Sequence, residues 1–251
     1  MISKNKFKYI CSLEHKKNRL QEHVFVAEGP KVVGDLLTIS PARTIIATKE
    51  WLDTHNKTLF TEYIEASEEE LQKVSFLQHP QQVLAVFDQR RQPTEFLPDA
   101  EELVLALDGI QDPGNLGTIV RIADWFGIEH IVCSEDTVDV YNPKVVQATM
   151  GSIARVSVCY VPLAQWLDKL PPATPIYGTL LDGENIYEKK LTKGGIIVMG
   201  NEGKGISASI RERINERLLI PPYPLNRPTA ESLNVAIATA ITCSVFRRNG
   251  I

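Results

Sequence analysis

Four features, each typical of a different class of protein, are missing from this 251-residue sequence. Its four cysteines are far apart and form no C-x-x-C pair, which argues against zinc sites and thioredoxin-like chemistry. The longest mainly apolar stretch, NVAIATAITCSVF, is too short to span a bilayer, and the lysine-rich N-terminus has no apolar signal-peptide core. The formal net charge of −4 provides no overall basic field. We therefore expect a cytoplasmic protein with free thiols, no metal and no membrane partner.

Basic residues are nevertheless concentrated at the N-terminus. Residues 1–31 contain seven lysines and arginines against three acids. This excess predicts either a local RNA-binding face inside an acidic protein or an ordinary solvated helix. The seven residues are Lys4, Lys6, Lys8, Lys16, Lys17, Arg19 and Lys31.

Hydrophobic periodicity predicts an α/β protein with two domains, at residues 1–92 and 99–251. The first domain begins with a helix from about Asn18 to Ile39, interrupted at Gly29-Pro30, and continues as alternating strands and helices. The aperiodic stretch RRQPTEFLPDAEE is the predicted linker. In the second domain strands alternate with helices throughout, which predicts a mostly parallel sheet covered on both faces.

Ligands of such sheets bind at the carboxyl ends of strands, where two loops can be tested for phosphate binding. DGIQDPGNLG does not match G-x-G-x-x-G, and GNEGKGIS does not match a P-loop. Glu202 in the second loop would also repel a phosphate. Glycines next to a carboxylate suit a neutral or cationic ligand instead. The structural alternative is that Glu202 only caps a helix beginning near Ser207.

Three segments are unusual when taken together. NLGTIVR places Asn115 at a helix start and Arg121 six residues later, MGNEGKG contains Glu202, and LLIPPYPLNRPTAESLNVA ends with Ser232 and Asn234. Each has a structural alternative: Arg121 would be a surface ion-pair residue, Ser232 the N-cap of the final helix, and Asn234 a residue of that helix start.

In this order the three segments resemble the three motifs of the SpoU-type RNA ribose methyltransferases of the SPOUT superfamily. SLEHKKNRLQEHVFVAEGPKVVGDLL, at residues 12–37, resembles the start of that family's N-terminal substrate-binding domain, which is similar to a ribosomal protein that binds kinked RNA. NPKVVQATMGSIARVSV also resembles the segment between the first two motifs. The third motif departs from the family, because its loop is long and rich in proline (Pro221, Pro222, Pro224 and Pro228).

The resemblance implies S-adenosylmethionine as cofactor, held in a deep trefoil knot of the C-terminal domain, and a homodimer. It implies 2'-O-methylation of a ribose in structured RNA, with ribosomal RNA favoured and transfer RNA second. The implied catalytic residues are Arg121, Asn115, Glu202, Ser232 and Asn234. The implied cofactor-binding residues are Leu180, Gly200, Asn201, Ile220 and Leu233.

Two alternatives from other classes stay open at this point. The first is a non-catalytic RNA-binding protein that retains the fold, which the intact Arg121, Glu202, Ser232 and Asn234 disfavour. The second is a nucleotide-dependent oxidoreductase, which the missing glycine fingerprint disfavours.

Overall fold

The computed structural model describes residues 2–90, 96–224 and 230–248. The chain forms two compact units. The first comprises Met1–Arg91 and Asp139–Ala154, and the second comprises Gln92–Val138 and Arg155–Ile251. The later segment Asp139–Ala154 thus belongs with the N-terminal residues, while the predicted domain limits at residues 92 and 99 stay predictions.

The first unit is built on a four-stranded mixed sheet in the order β1-β4-β2-β3. Strand β4 is antiparallel to both β1 and β2, whereas β3 is parallel to β2. The N-terminal elements are α1 (Lys4–Ser12), α2 (Lys16–Glu22), β1 (Val24–Glu28), α3 (Pro30–Leu37), β2 (Ala42–Ala47), α4 (Lys49–Thr54), β3 (Phe60–Glu65), α5 (Glu68–Val74) and β4 (Val83–Asp88).

The prediction of one interrupted helix over residues 18–39 is wrong, because Val24–Glu28 forms strand β1. All five residues of β1 are buried, and the segment consists mostly of β-branched and aromatic residues that fit a pleated surface. Strand β4 supplies its backbone partners, pairing Val26 with Val86. The Gly29-Pro30 step marks the start of α3, where Pro30 occupies the first turn.

Arg19 is a core residue of the first unit rather than part of a basic surface. Its side chain is only 2% exposed and forms an ion pair of 2.6 Å with Asp139. The guanidinium also donates to the carbonyl oxygens of Leu13 and Glu14, at 2.9 and 2.6 Å. Arg19 therefore joins the turn between α1 and α2 to the segment that begins at Asp139, and its place in the predicted RNA-binding face is corrected.

The second unit contains a six-stranded sheet in the order β10-β8-β9-β5-β6-β7, in which every pair is parallel. This confirms the parallel sheet predicted from alternating strands and helices. The remaining elements, including α7 of the first unit, are β5 (Leu103–Asp108), α6 (Pro113–Trp125), β6 (His130–Ser134), α7 (Pro143–Ala148), β7 (Ser157–Val161), α8 (Leu163–Asp168), β8 (Ile176–Asn185), β9 (Gly195–Gly200), α9 (Ala208–Arg211), β10 (Glu216–Leu219) and α10 (Val235–Arg247).

The core of the second unit lies under the central strands. Val104, Val132 and Val198 are buried there with Trp166 of α8. Trp166 donates its indole N–H to the carbonyl of Phe96, in the middle of the predicted linker, at 2.7 Å, and residues 91–95 of that linker lie outside the described residues. The threading of the chain through a knot stays a prediction.

The cysteines are free thiols, as expected from their spacing. Burial raises the pKa of Cys159 to about 11 and that of Cys243 to about 12. Both side chains therefore remain neutral thiols at physiological pH, with little of the thiolate that nucleophilic chemistry requires.

Candidate active site

A cavity of about 660 Å³ opens in the second unit, beside the middle of β8, the ends of β9 and β10, and the start of α10. Because parallel strands end at the same edge of a sheet, loops distant in sequence meet here. All five residues predicted to bind cofactor line this cavity. The lining consists of residues 179–182, 199–206, 218–220 and 231–233, with Arg211, Val235 and Ala238.

The loop after β9 owes its shape to Gly200 and Asn201. The backbones of Asn201 and Gly205 hydrogen-bond in both directions, at 3.0 and 2.9 Å. The Asn201 carboxamide oxygen accepts from the amides of Gly203 and Lys204, both at 3.0 Å. A Cβ atom at Gly200 would overlap the backbone of Gly205 and Ile206. The turn therefore folds back so closely that only glycine fits at position 200 without a shift of the backbone.

Glu202 connects this loop to the one that follows β5. Its carboxylate accepts a hydrogen bond from the Asn115 side chain at 3.0 Å and from the backbone amides of Asp112 and Gln111 at 3.3 and 3.4 Å. Partial burial raises the pKa of Glu202, but the bonds from Asn115 and from backbone amides outweigh it, so that the pKa lies below its ordinary value. Glu202 is thus an ionised acceptor at neutral pH.

The short helix α9 begins after Ser207, its N-cap, and no side chain of the described residues accepts a capping hydrogen bond from its first turn. The backbone amide of Ser207 donates to Oδ2 of Asp108, at the end of β5, at 2.7 Å. The structural alternative, in which Glu202 caps this helix, is therefore wrong.

Asn234 joins the third segment to the other two. Its side-chain nitrogen donates to the Asn115 carboxamide oxygen at 2.9 Å, while its own oxygen accepts from the amides of Ala236 and Ile237 at 3.0 and 3.3 Å. Asn234 is therefore the N-cap of α10, and the prediction that Ser232 caps this helix is wrong. Ser232 lies before the helix, exposed, on the wall of the cavity.

Arg121 stands apart from the network of Glu202, Asn115 and Asn234. It lies six residues beyond Asn115 on α6, which rotates it by roughly 240° around the helix axis. Its side chain is exposed and makes no hydrogen bond or ion pair with any residue in the ranges that the structure describes. The surface ion pair offered as its structural alternative is therefore not formed within those ranges.

Gly109, Ser134 and Asp136 also shape this site and were not predicted. The Gly109 amide donates to the Ser134 hydroxyl at 2.8 Å, and that hydroxyl donates to Asp136 at 2.6 Å. On its other side, the Gly109 carbonyl accepts from the Asn201 side chain at 2.6 Å. Gly109 is thus held between the ends of β6 and β9. The sequence feature that could have identified Ser134 and Asp136 is the polar run SEDT, at residues 134–137, which lies at the carboxyl end of a buried strand.

Residues 2–90, 96–224 and 230–248 contain neither a membrane-spanning helix nor a metal-binding cluster. No helix in these ranges is long and apolar enough to cross a bilayer. Likewise, no group of three or more histidine, cysteine or acidic side chains within them is placed to bind a metal ion. Pro228, one of the four prolines of the third segment, lies outside the described residues.

Family models match most of the sequence. The model of the SpoU rRNA Methylase family matches residues 102–244, which include the cavity and its hydrogen-bond network. The model of the MRM3-like substrate binding domain matches residues 4–85, in the first unit. The two matches together agree with the order of the three segments and with the resemblance at residues 12–37.

Individual proteins match over nearly the full length. The chain is 33% identical over 233 residues to the 23S rRNA (guanosine(2553)-2'-O)-methyltransferase RlmP of Bacillus subtilis (strain 168), covering 91% of this chain and 90% of that protein. A solved protein assigned to the TrmH family of RNA methyltransferases, from Porphyromonas gingivalis, is 42% identical with a TM-score of 0.85 and 99% coverage of both chains. An AdoMet-bound rRNA methyltransferase from Sinorhizobium meliloti is 29% identical with a TM-score of 0.87, covering 100% of this chain and 98% of that one.

Proposed function

The chain belongs to the SpoU rRNA methylase family, and on that premise we propose how its residues transfer a methyl group to RNA. The protein is an S-adenosylmethionine-dependent ribose 2'-O-methyltransferase that acts on ribosomal RNA. The oxidoreductase alternative is excluded by the family, and the non-catalytic alternative is disfavoured by the methyltransferases among its relatives. The observation that carries the mechanism is the cavity at the strand ends, bordered by Glu202 and close to Asn115 and Asn234.

The residues of the cavity suit S-adenosylmethionine. A volume of about 660 Å³ is typical of small-molecule sites. Leu180, Ile220 and Leu233 offer apolar contact and backbone groups for an adenine, and the glycine-rich turn allows close approach. The ionised Glu202 is compatible with the positive sulfonium, which supplies an electrophilic methyl group when the cofactor is bound.

Arg121 acts on the RNA rather than on the cofactor. A guanidinium stays protonated in proteins, so Arg121 is not the base that deprotonates the 2'-hydroxyl. Its side chain is exposed and has no partner among the described residues, so it is free to clamp the phosphate beside the target ribose in a bidentate manner. Its positive charge then favours the alkoxide that develops on the ribose oxygen, and the clamped phosphate accepts the proton. Asn115, Glu202, Ser232 and Asn234 position these partners.

The first unit binds structured RNA through its exposed lysines. Lys4, Lys8, Lys16 and Lys17 are exposed, whereas Lys6 and Lys31 are paired with Glu62 and Asp35. Large-subunit ribosomal RNA is the proposed substrate, since the relative from Bacillus subtilis is named for 23S rRNA. A ribosomal substrate and free thiols together favour the cytoplasm.

The active form is a homodimer. Trp125 of α6 is 85% exposed and Ile237 of α10 is 52% exposed, on two helices that pack together. Large apolar side chains exposed on adjacent helices are typical of interfaces. Sedimentation of the wild-type protein at micromolar concentration should give the mass of two chains, and a monomer at that concentration contradicts this part of the proposal.

The enzymatic proposal is tested with purified protein, methyl-labelled S-adenosylmethionine and ribosomal RNA from a strain that lacks the protein. We expect transfer of label, recovery of a 2'-O-methylnucleoside after digestion, and cofactor binding in calorimetry without RNA. Fully modified RNA from the parent strain is the control and should accept no label. Label on a base instead of the ribose would contradict the assigned reaction.

A further inference from the structure

A second cavity, of about 440 Å³, lies wholly within the first unit. It opens where β1 ends and β4 begins, with α5 as one wall. Three connections therefore meet at this edge of the sheet: the one from β1 to α3, the one from β3 to α5 and the one from α5 to β4. The lining residues are Pro30, Glu68, Leu71, Gln72, Pro80, Gln81 and Gln82.

Three carboxamides give this cavity its polar character. Each glutamine side chain carries two N–H donors and one carbonyl acceptor. The side chains of Gln81 and Gln82 have no hydrogen-bond partner among residues 2–90, 96–224 and 230–248. Gln72 donates one N–H to the carbonyl of Gln78 at 3.2 Å, which leaves its second N–H and its oxygen for a ligand.

The rest of the lining selects against a phosphate. Pro30, Leu71 and Pro80 are apolar, and the one ionisable group of the lining is the carboxylate of Glu68. A phosphate would meet a negative charge and no positive one. A flat heterocycle with donors and acceptors on its edge matches the combination of apolar contacts, amides and a carboxylate that accepts N–H groups.

Buried contacts hold two walls of the cavity in place. The Glu28 carboxylate at the end of β1 accepts from the Ser75 hydroxyl and from the Phe76 amide, the latter at 2.9 Å. It thereby ties the chain that leaves α5 to the start of α3. Gly29 has a φ of +84°, and Oε1 of Gln81 would lie only 3.8 Å from a Cβ atom there. The Gln81 amide is therefore placed close over the β1–α3 turn.

We propose that this cavity receives one unpaired base of the RNA substrate. The inference rests on the proposed function, and it identifies the substrate as RNA with a base available outside a helix, as in a loop or bulge. The model of the MRM3-like substrate binding domain spans every residue of the lining. Read-out by amides gives the first unit selectivity for a base, which the phosphate contacts of exposed lysines cannot provide.

The first test is steady-state methylation of ribosomal RNA by Gln81→Ala/Gln82→Ala. Each lost hydrogen bond should weaken RNA binding by about three- to tenfold, so we expect KM for RNA to rise by about tenfold or more. The kcat and the cofactor affinity should be unchanged, because Gln81 and Gln82 are exposed and do not line the cofactor cavity. Gln165→Ala, an exposed glutamine of α8, is the matched control and should behave as wild type. An unchanged KM in the double variant overturns the proposal.

A second test does not depend on catalysis. The side-chain amide signals of the wild-type protein are followed by NMR during titration with AMP, GMP, CMP and UMP, with ribose 5-phosphate as control. We expect the signals of Gln72, Gln81 and Gln82 to shift with at least one nucleotide and not with the sugar phosphate. Equal shifts with ribose 5-phosphate, or no shift at millimolar nucleotide, overturn the proposal. Absence of methyl transfer by the wild type would instead refute the proposed function and leave these shifts measurable.

Discussion

Glu202 accepts hydrogen bonds from the Asn115 side chain and from two backbone amides of the loop after β5, while Arg121 makes none within the described ranges. This contrast assigns them different tasks. A residue held by several donors fixes the loops that surround a ligand. An exposed guanidinium without a partner is available for a ligand that brings its own negative charge, as RNA does.

The stability contribution of Glu202 should depend on pH. Its pKa lies below the ordinary 4.5, so the ionised form is favoured by the folded state. The contribution is present above that ordinary value and is lost as pH falls through the lowered pKa. Glu202→Gln should therefore lower the melting temperature by a constant amount at pH 6–8, and the difference should shrink below about pH 4.5. Thermal unfolding across this range, with the exposed Glu212→Gln as control, measures the effect, and a pH-independent difference would contradict it.

Arg121 can be tested by separating binding from transfer. Arg121→Ala should leave S-adenosylmethionine affinity within a few-fold of wild type, whereas transfer to unmodified RNA should fall by about 100-fold or more, as for loss of one oxyanion-type donor. Arg121→Lys should restore little, since a point charge does not reproduce a bidentate fork. Arg213→Ala, which removes an arginine paired with Asp168, is the control. Wild-type transfer by Arg121→Ala would make Arg121 a structural residue.

At the scale of elements, the loop after β9 offers two glycines in different environments. A Cβ at Gly200 overlaps backbone, whereas a Cβ at Gly203 lies 3.8 Å from Oδ1 of Asn201, the nearest atom outside the adjoining residues. Gly200→Ala should therefore displace the turn and weaken cofactor binding by more than about tenfold, while Gly203→Ala should change it less than about twofold. Calorimetry with S-adenosylmethionine compares them, and equal affinities would show that the turn does not shape the cofactor site.

Helix α2 of the first unit carries two exposed lysines, Lys16 and Lys17, and one buried arginine, Arg19. Lys16→Glu/Lys17→Glu should weaken RNA binding and flatten its dependence on salt, because phosphate contacts release counterions, with unchanged thermal stability. Arg19→Met should instead destabilise the first unit by about 3–5 kcal/mol, since Asp139 would keep a buried, unpaired charge. Filter binding at several salt concentrations and chemical denaturation distinguish the two effects. An unaltered salt slope in the lysine variant would make α2 an ordinary solvated helix.

Local signals in the sequence predict some elements and helix caps correctly and fail for others. Ser67 and Glu70 form a capping box, which the sequence alone indicates because both partners lie within one turn of the helix. Strand β1 was missed because its burial depends on pairing with β4, about sixty residues later. The N-cap of α10 is Asn234 rather than Ser232 because Asn234 is also held by Asn115. The Ser207 amide at the start of α9 donates to Asp108, 99 positions earlier. Contacts between residues this distant leave no periodic signal.

At the scale of the whole molecule, the chain assigns recognition and chemistry to different units. The first unit carries exposed lysines and a cavity lined by amides, and the second carries the cofactor cavity and Arg121. Loss of RNA recognition should therefore raise KM for RNA, whereas loss of the methyl-transfer site should lower kcat. Variants from the two units should combine additively when they act independently.

Mapping ribose methylation in ribosomal RNA from a strain that lacks this protein tests the central claim most directly. The account predicts that one 2'-O-methyl group is missing in the deletion strain, that the wild-type chain restores it, and that Arg121→Ala, produced at the same level, does not. An unchanged ribose methylation pattern in the deletion strain, or full restoration by Arg121→Ala, would contradict it.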